Sequence, residues 1–227
     1  MNNYPPYYSG ATVSQQSSLI SKVCYLLCTA LLATAGAAYF LSPFDSGLWF
    51  FPIVIATFVI VFSLRAARAN PALGLTLLYA LSVLEGLLIG PLLLSIAHNY
   101  PFGSTIILQA ALLSGAIMAG CGTYVSVSDR DFSSMGKFLI IGLWGLIIVG
   151  LIGFFVHMSP GFHLVYSIIG ALIFTGFALY DFSNIKSRFG PNDYVIATVQ
   201  LYLDFLNLFL FILQILMTFA GGGSRRN

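Results

Sequence analysis

The stretch QLYLDFLNLFLFILQIL, residues 200–216, is apolar enough to lie in a bilayer, yet it carries Asp204 near its start. Gln200, Asn207 and Gln214 interrupt the same run. A carboxylate in a membrane interior costs roughly 2.5–3.5 kcal/mol on insertion scales. Asp204 must therefore face protein or a water-lined cavity, and its helix needs other helices around it.

The rest of the chain supplies them. Of 227 residues, 59% are hydrophobic and only 7% are charged, where a soluble domain carries about a quarter. The deficit extends along the chain, so the fold class is an all-α integral membrane protein. A bilayer core takes about 20 apolar residues per helix. Runs of that kind fall at 21–42, 48–64, 72–97, 104–127, 138–156 and 162–181, with a seventh at 194–219. Short connections rich in Pro, Gly and Asn separate them. Three parts follow: a disordered polar lead (1–20), a transmembrane domain (21–220) and a short basic tail (221–227). The lead lacks the basic start and short apolar core of a cleavable signal.

Basic residues set the orientation. Lys22, Arg65, Arg68, Arg130, Lys137, Lys186 and Arg188 are seven of the nine, and all fall on one side of the expected spans. That side is read as cytoplasmic, with the amino terminus inside. Arg225 and Arg226 break the pattern if the seventh segment crosses fully, and obey it if that segment dips in and returns. A full span is the preferred reading. The net charge of +2 gives no reason to expect nucleic acid as a partner.

Small residues mark helix contacts in lipid, where attraction depends on close backbone approach. Gly86 and Gly90 have this spacing on the third segment, and Ala111, Gly115 and Ala119 on the fourth. Pro91 is expected to kink the third. Cys24, Cys28 and Cys121 form no metal or disulfide pattern and read as buried small hydrophobes. His98, His157 and His163 fall at the outer ends, where solvated histidine is expected.

Seven acidic residues remain to be placed. Asp45, Asp129, Asp131 and Asp193 fall in connections and read as solvated. Glu85, Asp181 and Asp204 fall within helices. Counting at about 1.5 Å per residue from the short sixth connection, Asp181 lies roughly 8 Å deep and Asp204 roughly 15 Å. Two carboxyls within a turn of one depth, on antiparallel neighbours, can share a site. Both cannot ionise cheaply, so such a pair holds a proton or accepts a cation in its place. All-oxygen donors suit calcium. Local alternatives stay open for Asp181: Ser183, Asn184, Lys186 and Arg188 are all within reach. Arg65, at the cytoplasmic end of the second segment, is a candidate partner from another helix, or an ordinary cytoplasmic anchor. Glu85, near mid-membrane, is either hydrogen-bonded to another helix or lines a cavity. The chain has no P-loop, HExxH, EF-hand loop or GxGD block, so no enzyme activity and no resident cofactor are expected.

At these same residues the chain resembles the Bax-inhibitor (transmembrane Bax inhibitor motif) family, bacterial members included. The carrying blocks are FTGFALYDFSNIKSRFG (174–190) and LYLDFLNLFLFILQIL (201–216), with weaker likeness through LYALSVLEGLLIGPLL (78–93) and TYVSVSDRDFSSMGKFL (123–139). The resemblance implies a seven-helix bundle with helix seven central. It also implies a pH-sensitive aspartate pair at Asp181 and Asp204, with Arg65 as a latch upon it. Family members are associated with calcium leak and with suppression of cell death, and some bacterial ones with modulation of a membrane-bound ATP-dependent protease. A calcium-leak relative places a glutamate midway along helix two, where this chain reads FFPIVIATFVIVF (50–62), with no acid. Glu85 is the candidate to line the path instead.

The expected function is thus a pH-sensitive calcium leak through a bacterial inner membrane. Asp181 and Asp204 are the sensor and candidate calcium ligands, Arg65 the latch and Glu85 the pore-lining residue. The alternative is a non-conducting regulator of a membrane protease or another membrane partner. The plain polar lead, and a tail without a retrieval signal, point to the bacterial membrane rather than an organelle.

Overall fold

The computed structural model describes residues 13–41, 49–66, 70–128, 130–156 and 158–222. Among them are seven α-helices: α1 (Val13–Leu41), α2 (Phe50–Ala66), α3 (Pro71–Asn99), α4 (Gly103–Val127), α5 (Gly136–Phe155), α6 (Pro160–Ser187) and α7 (Tyr194–Gly222). A 3-10 turn, Ser133–Met135, leads into α5. Asp45, Arg68, Asp129, His157, Arg225 and Arg226 lie outside the described residues, as does residues 1–12 of the lead.

Six helices are long and apolar enough to cross a membrane. The apolar stretch of α2, Phe50–Leu64, is shorter. At 17 residues α2 is about 26 Å long, slightly less than a hydrocarbon core of about 30 Å. The chain is a multi-pass integral membrane protein. α7 runs without a break for 29 residues, so the dip-and-return alternative does not hold among the described residues. α3 likewise runs through Pro91.

Residues 13–20, expected within the disordered lead, are helical and extend α1 beyond its apolar run. The cause is packing: Leu19 and Val23, one turn apart, are 3% and 2% exposed and anchor this end of the helix. Gly221 and Gly222, expected within the tail, are the last residues of α7.

The helices fall into two compact units, one of Met1–Pro101 with Ile185–Tyr202, the other of Phe102–Asn184 with Leu203–Asn227. In the first, α3 packs on α1. A Cβ on Gly86 would meet the Thr34 carbonyl oxygen at 2.5 Å and the Ala37 Cβ at 2.6 Å. Glycine is therefore the residue that lets the two backbones approach. The Thr29 and Tyr79 hydroxyls add a bond of 2.9 Å across the same pair. Asn70 caps α3, accepting from the Leu73 amide at 3.2 Å, with Pro71 at the first helical position. Gly86→Leu should lower stability by about 1–3 kcal/mol, the usual cost of overpacking. Gly115→Ala, where a Cβ meets nothing within 4 Å, is the comparison that should change little in an SDS-unfolding titration.

That open space corrects the small-residue reading of α4. Its buried face is Ile106, Ala110, Ser114, Met118, Cys121 and Val125, and Ala111, Gly115 and Ala119 lie off it. Glycine contacts in the second unit occur elsewhere: Gly136 lies under the Tyr180 ring and Gly176 under Leu139, joining α5 to α6. The cysteine reading holds for Cys121 only, because Cys24 and Cys28 are exposed on α1. The outward face of α5 carries Phe138, Ile141, Trp144, Ile148, Leu151 and Phe155, all more than half exposed. Such a stripe is unfavourable in water and suits acyl chains.

Candidate functional site: a buried carboxyl pair

α6 ends at Ser187 and α7 begins at Tyr194, so the turn between them is short. Asp193, read as solvated from its place in a connection, is instead 5% exposed and shapes the turn, accepting from the Gly190 amide at 3.0 Å, while its carbonyl accepts the Ala197 amide at 2.9 Å and opens α7. Lys186 sits in the last turn of α6, where a cation complements the exposed carbonyls. Asp181 is then six residues from the end of α6, about 9 Å, and Asp204 ten residues into α7, about 15 Å.

The two side chains meet. Asp181 and Asp204 are each 5% exposed and hydrogen-bond one another. An ionised carboxylate offers acceptors only, so a bond between two carboxyls requires one of them to carry a proton. Asn184, one turn on from Asp181 and 4% exposed, also hydrogen-bonds its carboxyl. Cys121, buried on α4, is close enough to Asp204 to interact with its charge.

Of the local partners open to Asp181, Asn184 is used. Ser183 points to the loop between α4 and α5. Its hydroxyl donates to Asp131 Oδ1 at 3.1 Å and accepts from the Phe132 amide at 3.1 Å. Asp131 also accepts from the Ser133 amide and hydroxyl at 2.8 and 2.9 Å. Asp131 is exposed as expected, but it has a structural role that its place in a connection did not reveal: it fastens that loop to α6, next to Asn184.

Glu85 is half-buried on α3, in the first unit. Its neighbour there is Tyr202, which interacts with its charge. Tyr202 is fully buried, and its hydroxyl bonds Thr34 Oγ1 at 2.6 Å and also Ser82. Tyr202 and Asp204, two residues apart, project from different faces of α7. The Tyr202–Thr34–Ser82 cluster was missed at the sequence level. The available signal was a tyrosine in the interior of a membrane helix, whose hydroxyl must find a partner when buried. Gln214 is satisfied within the second unit by the Ser167 hydroxyl at 2.6 Å.

Arg65 lies in the last turn of α2, but its side chain is outside the described residues, and with it the latch. Among the described residues no three His, Cys, Asp or Glu gather into one metal-binding group. Calcium takes six to eight oxygens. A cation at Asp181 and Asp204 would thus draw much of its shell from water, backbone or amide oxygens.

The family model described as "Inhibitor of apoptosis-promoting Bax1" matches residues 16–221. The chain is 35% identical over 223 residues to a "Golgi anti-apoptotic protein" of vaccinia virus (strain Lister), covering 94% of this chain and 91% of that one. It is 32% identical to "Bax inhibitor 1" of Schizosaccharomyces pombe, over 89% of this chain and 77% of the yeast protein. It is also 32% identical to "Protein lifeguard 4" of Mus musculus, over 94% and 90%. The likeness runs from the first membrane helix to the last and takes in both aspartates of the buried pair, and this chain belongs to the Bax-inhibitor family.

Proposed function

We propose that the protein is a pH-sensitive calcium leak channel in which the Asp181–Asp204 pair is both sensor and cation site. The observation that supports this is the hydrogen bond between two carboxyls, each 5% exposed, on two antiparallel membrane helices. A proton holds the pair together. Its loss leaves two like charges in a poorly solvated place, which a divalent cation or a nearby guanidinium relieves. Arg65 is the candidate guanidinium, acting as a latch. Glu85 is the candidate lining residue, helped by Tyr202. No covalent chemistry is assigned to any of these groups.

In this reading all seven helices span, with α2 accommodated by slight local thinning of the bilayer and α7 at the centre. The basic-residue count supports a cytoplasmic amino terminus. We place the protein in a bacterial inner membrane. The names of the viral and yeast relatives support a second reading, that the chain suppresses cell death. A leak that lowers the calcium load of a compartment is a physical route to that outcome. Regulation of a membrane protease without conduction is the rival.

Dye-loaded liposomes containing the purified protein provide the test. Calcium entry should vary between mildly acidic and mildly alkaline pH, and Asp181→Asn/Asp204→Asn should lose that variation. Entry no faster than into empty liposomes, from protein shown to be folded and inserted, would reject conduction and favour the regulator. Deleting residues 2–12, which precede α1, should leave flux intact, whereas a regulator that presents its lead to a protease should fail.

A further inference from the structure

Four buried side-chain atoms among the described residues have no hydrogen-bond partner: Thr57 Oγ1, Asn184 Oδ1, Gln200 Oε1 and Asp204 Oδ2. Two of the four belong to Asn184 and Asp204, the side chains that hydrogen-bond Asp181. Buried polar atoms are paired in the great majority of cases, and each exception calls for an explanation. Both of these atoms are oxygens, on residues 4% and 5% exposed. The amide of Asn184 is engaged with Asp181 through its nitrogen, which leaves its carbonyl oxygen as a fixed acceptor. Asp204 spends one oxygen on Asp181 and keeps the other. The two side chains that hydrogen-bond Asp181 thus each keep one unused buried acceptor.

We infer that Asn184 is a third oxygen ligand at this site, binding a hard cation through its side-chain carbonyl beside Asp204. The inference deepens the leak reading and rests on it for the identity of the ion. The chemistry is selective: carboxyl and amide oxygens favour calcium, magnesium or an alkali cation over metals that seek nitrogen or sulfur. A carbonyl also differs from a carboxyl in keeping its acceptor at every pH. Asn184 also sets a spacing, since positions three apart on a helix are neighbours. Asp181 and Asn184 present their oxygens from one face of α6, and Asp204 completes the set from α7.

The test is calcium binding by the full-length protein in detergent, read as the calcium-dependent rise in Tm, with magnesium and potassium run in parallel. Flux in liposomes is measured on the same preparations. The wild type should gain stability with calcium, and Asn184→Leu should need roughly ten-fold more calcium for the same gain. Asn184→Asp, which keeps an oxygen there, should bind at least as tightly as wild type, and it serves if the leucine variant fails to fold. Calcium binding that depends on Asn184 in a protein that does not leak would support the ligand role while rejecting conduction. Equal calcium dependence in wild type and Asn184→Leu, with flux preserved, would overturn the role of Asn184 and leave the leak standing. No rise with any cation in the wild type would overturn the cation site itself.

Discussion

Replacing Asp181 alone by leucine should destabilise the protein by about 1–3 kcal/mol, while replacing Asp181 and Asp204 together should cost well under the sum of the two single changes. Each carboxyl is 5% exposed and has the other as a hydrogen-bond partner. Removing one strands the other in a place with little water, and it carries the full desolvation penalty. Removing both takes the penalty away with the bond, and apolar side chains of similar size replace a polar pair at small cost. A double-mutant cycle read by SDS unfolding should show a coupling of about 1–3 kcal/mol. Additive losses would mean that the two carboxyls do not depend on each other, and the sensor reading would lose its physical basis.

Tyr202→Ala should be the most damaging single truncation in the first unit, at about 3–5 kcal/mol, the range for emptying an aromatic site in a packed core. Tyr202 is 0% exposed, and its ring is enclosed together with its hydroxyl. Tyr202→Phe isolates the polar part. It keeps the ring and loses the bonds to Thr34 and Ser82, and interhelical hydrogen bonds in membranes average about 0.6 kcal/mol. The contrast between the two variants, measured by the same unfolding titration, separates packing from hydrogen bonding. If Phe were as costly as Ala, the hydroxyl cluster would be the main support of that region. If Ala cost no more than Phe, the ring would not be packed as described.

The meeting of Asp181 and Asp204 was legible before any coordinates because it depends on two simple quantities. One is the rise per residue and the other is the length of the turn joining α6 to α7, which Gly190 and Asp193 keep short. The partner of Asp181 was narrowed in advance only to a set, and geometry chose Asn184 while turning Ser183 to Asp131. Asp131 sits 52 positions before Ser183, and no local pattern connects them. Tyr202 was overlooked for the same reason, as its bond to Thr34 spans 168 positions. The small-residue spacing was right on α3, where Gly86 meets α1, and wrong on α4, where Gly115 meets nothing. A spacing of four places residues on one face, but it does not say whether that face is turned to protein or to lipid.

By itself the sequence determined the class of the molecule, because about 20 apolar residues at a time have few stable alternatives to a membrane helix. It also determined the family, and the depth of each carboxyl along its helix, since depth is counted residue by residue. Only the tertiary structure decided which side chains touch. Contact depends on the rotation of each helix about its own axis, and one residue of rotation is about 100°. That angle separates Asp181 bonded to Asp204 from an aspartate facing lipid. It also decided that Asn184 serves the pair and that Tyr202 serves α1 and α3. Nearly uniform apolar helices contain little information about that angle. It is set by the packing of neighbours such as Thr34 against Gly86 and Leu139 against Gly176.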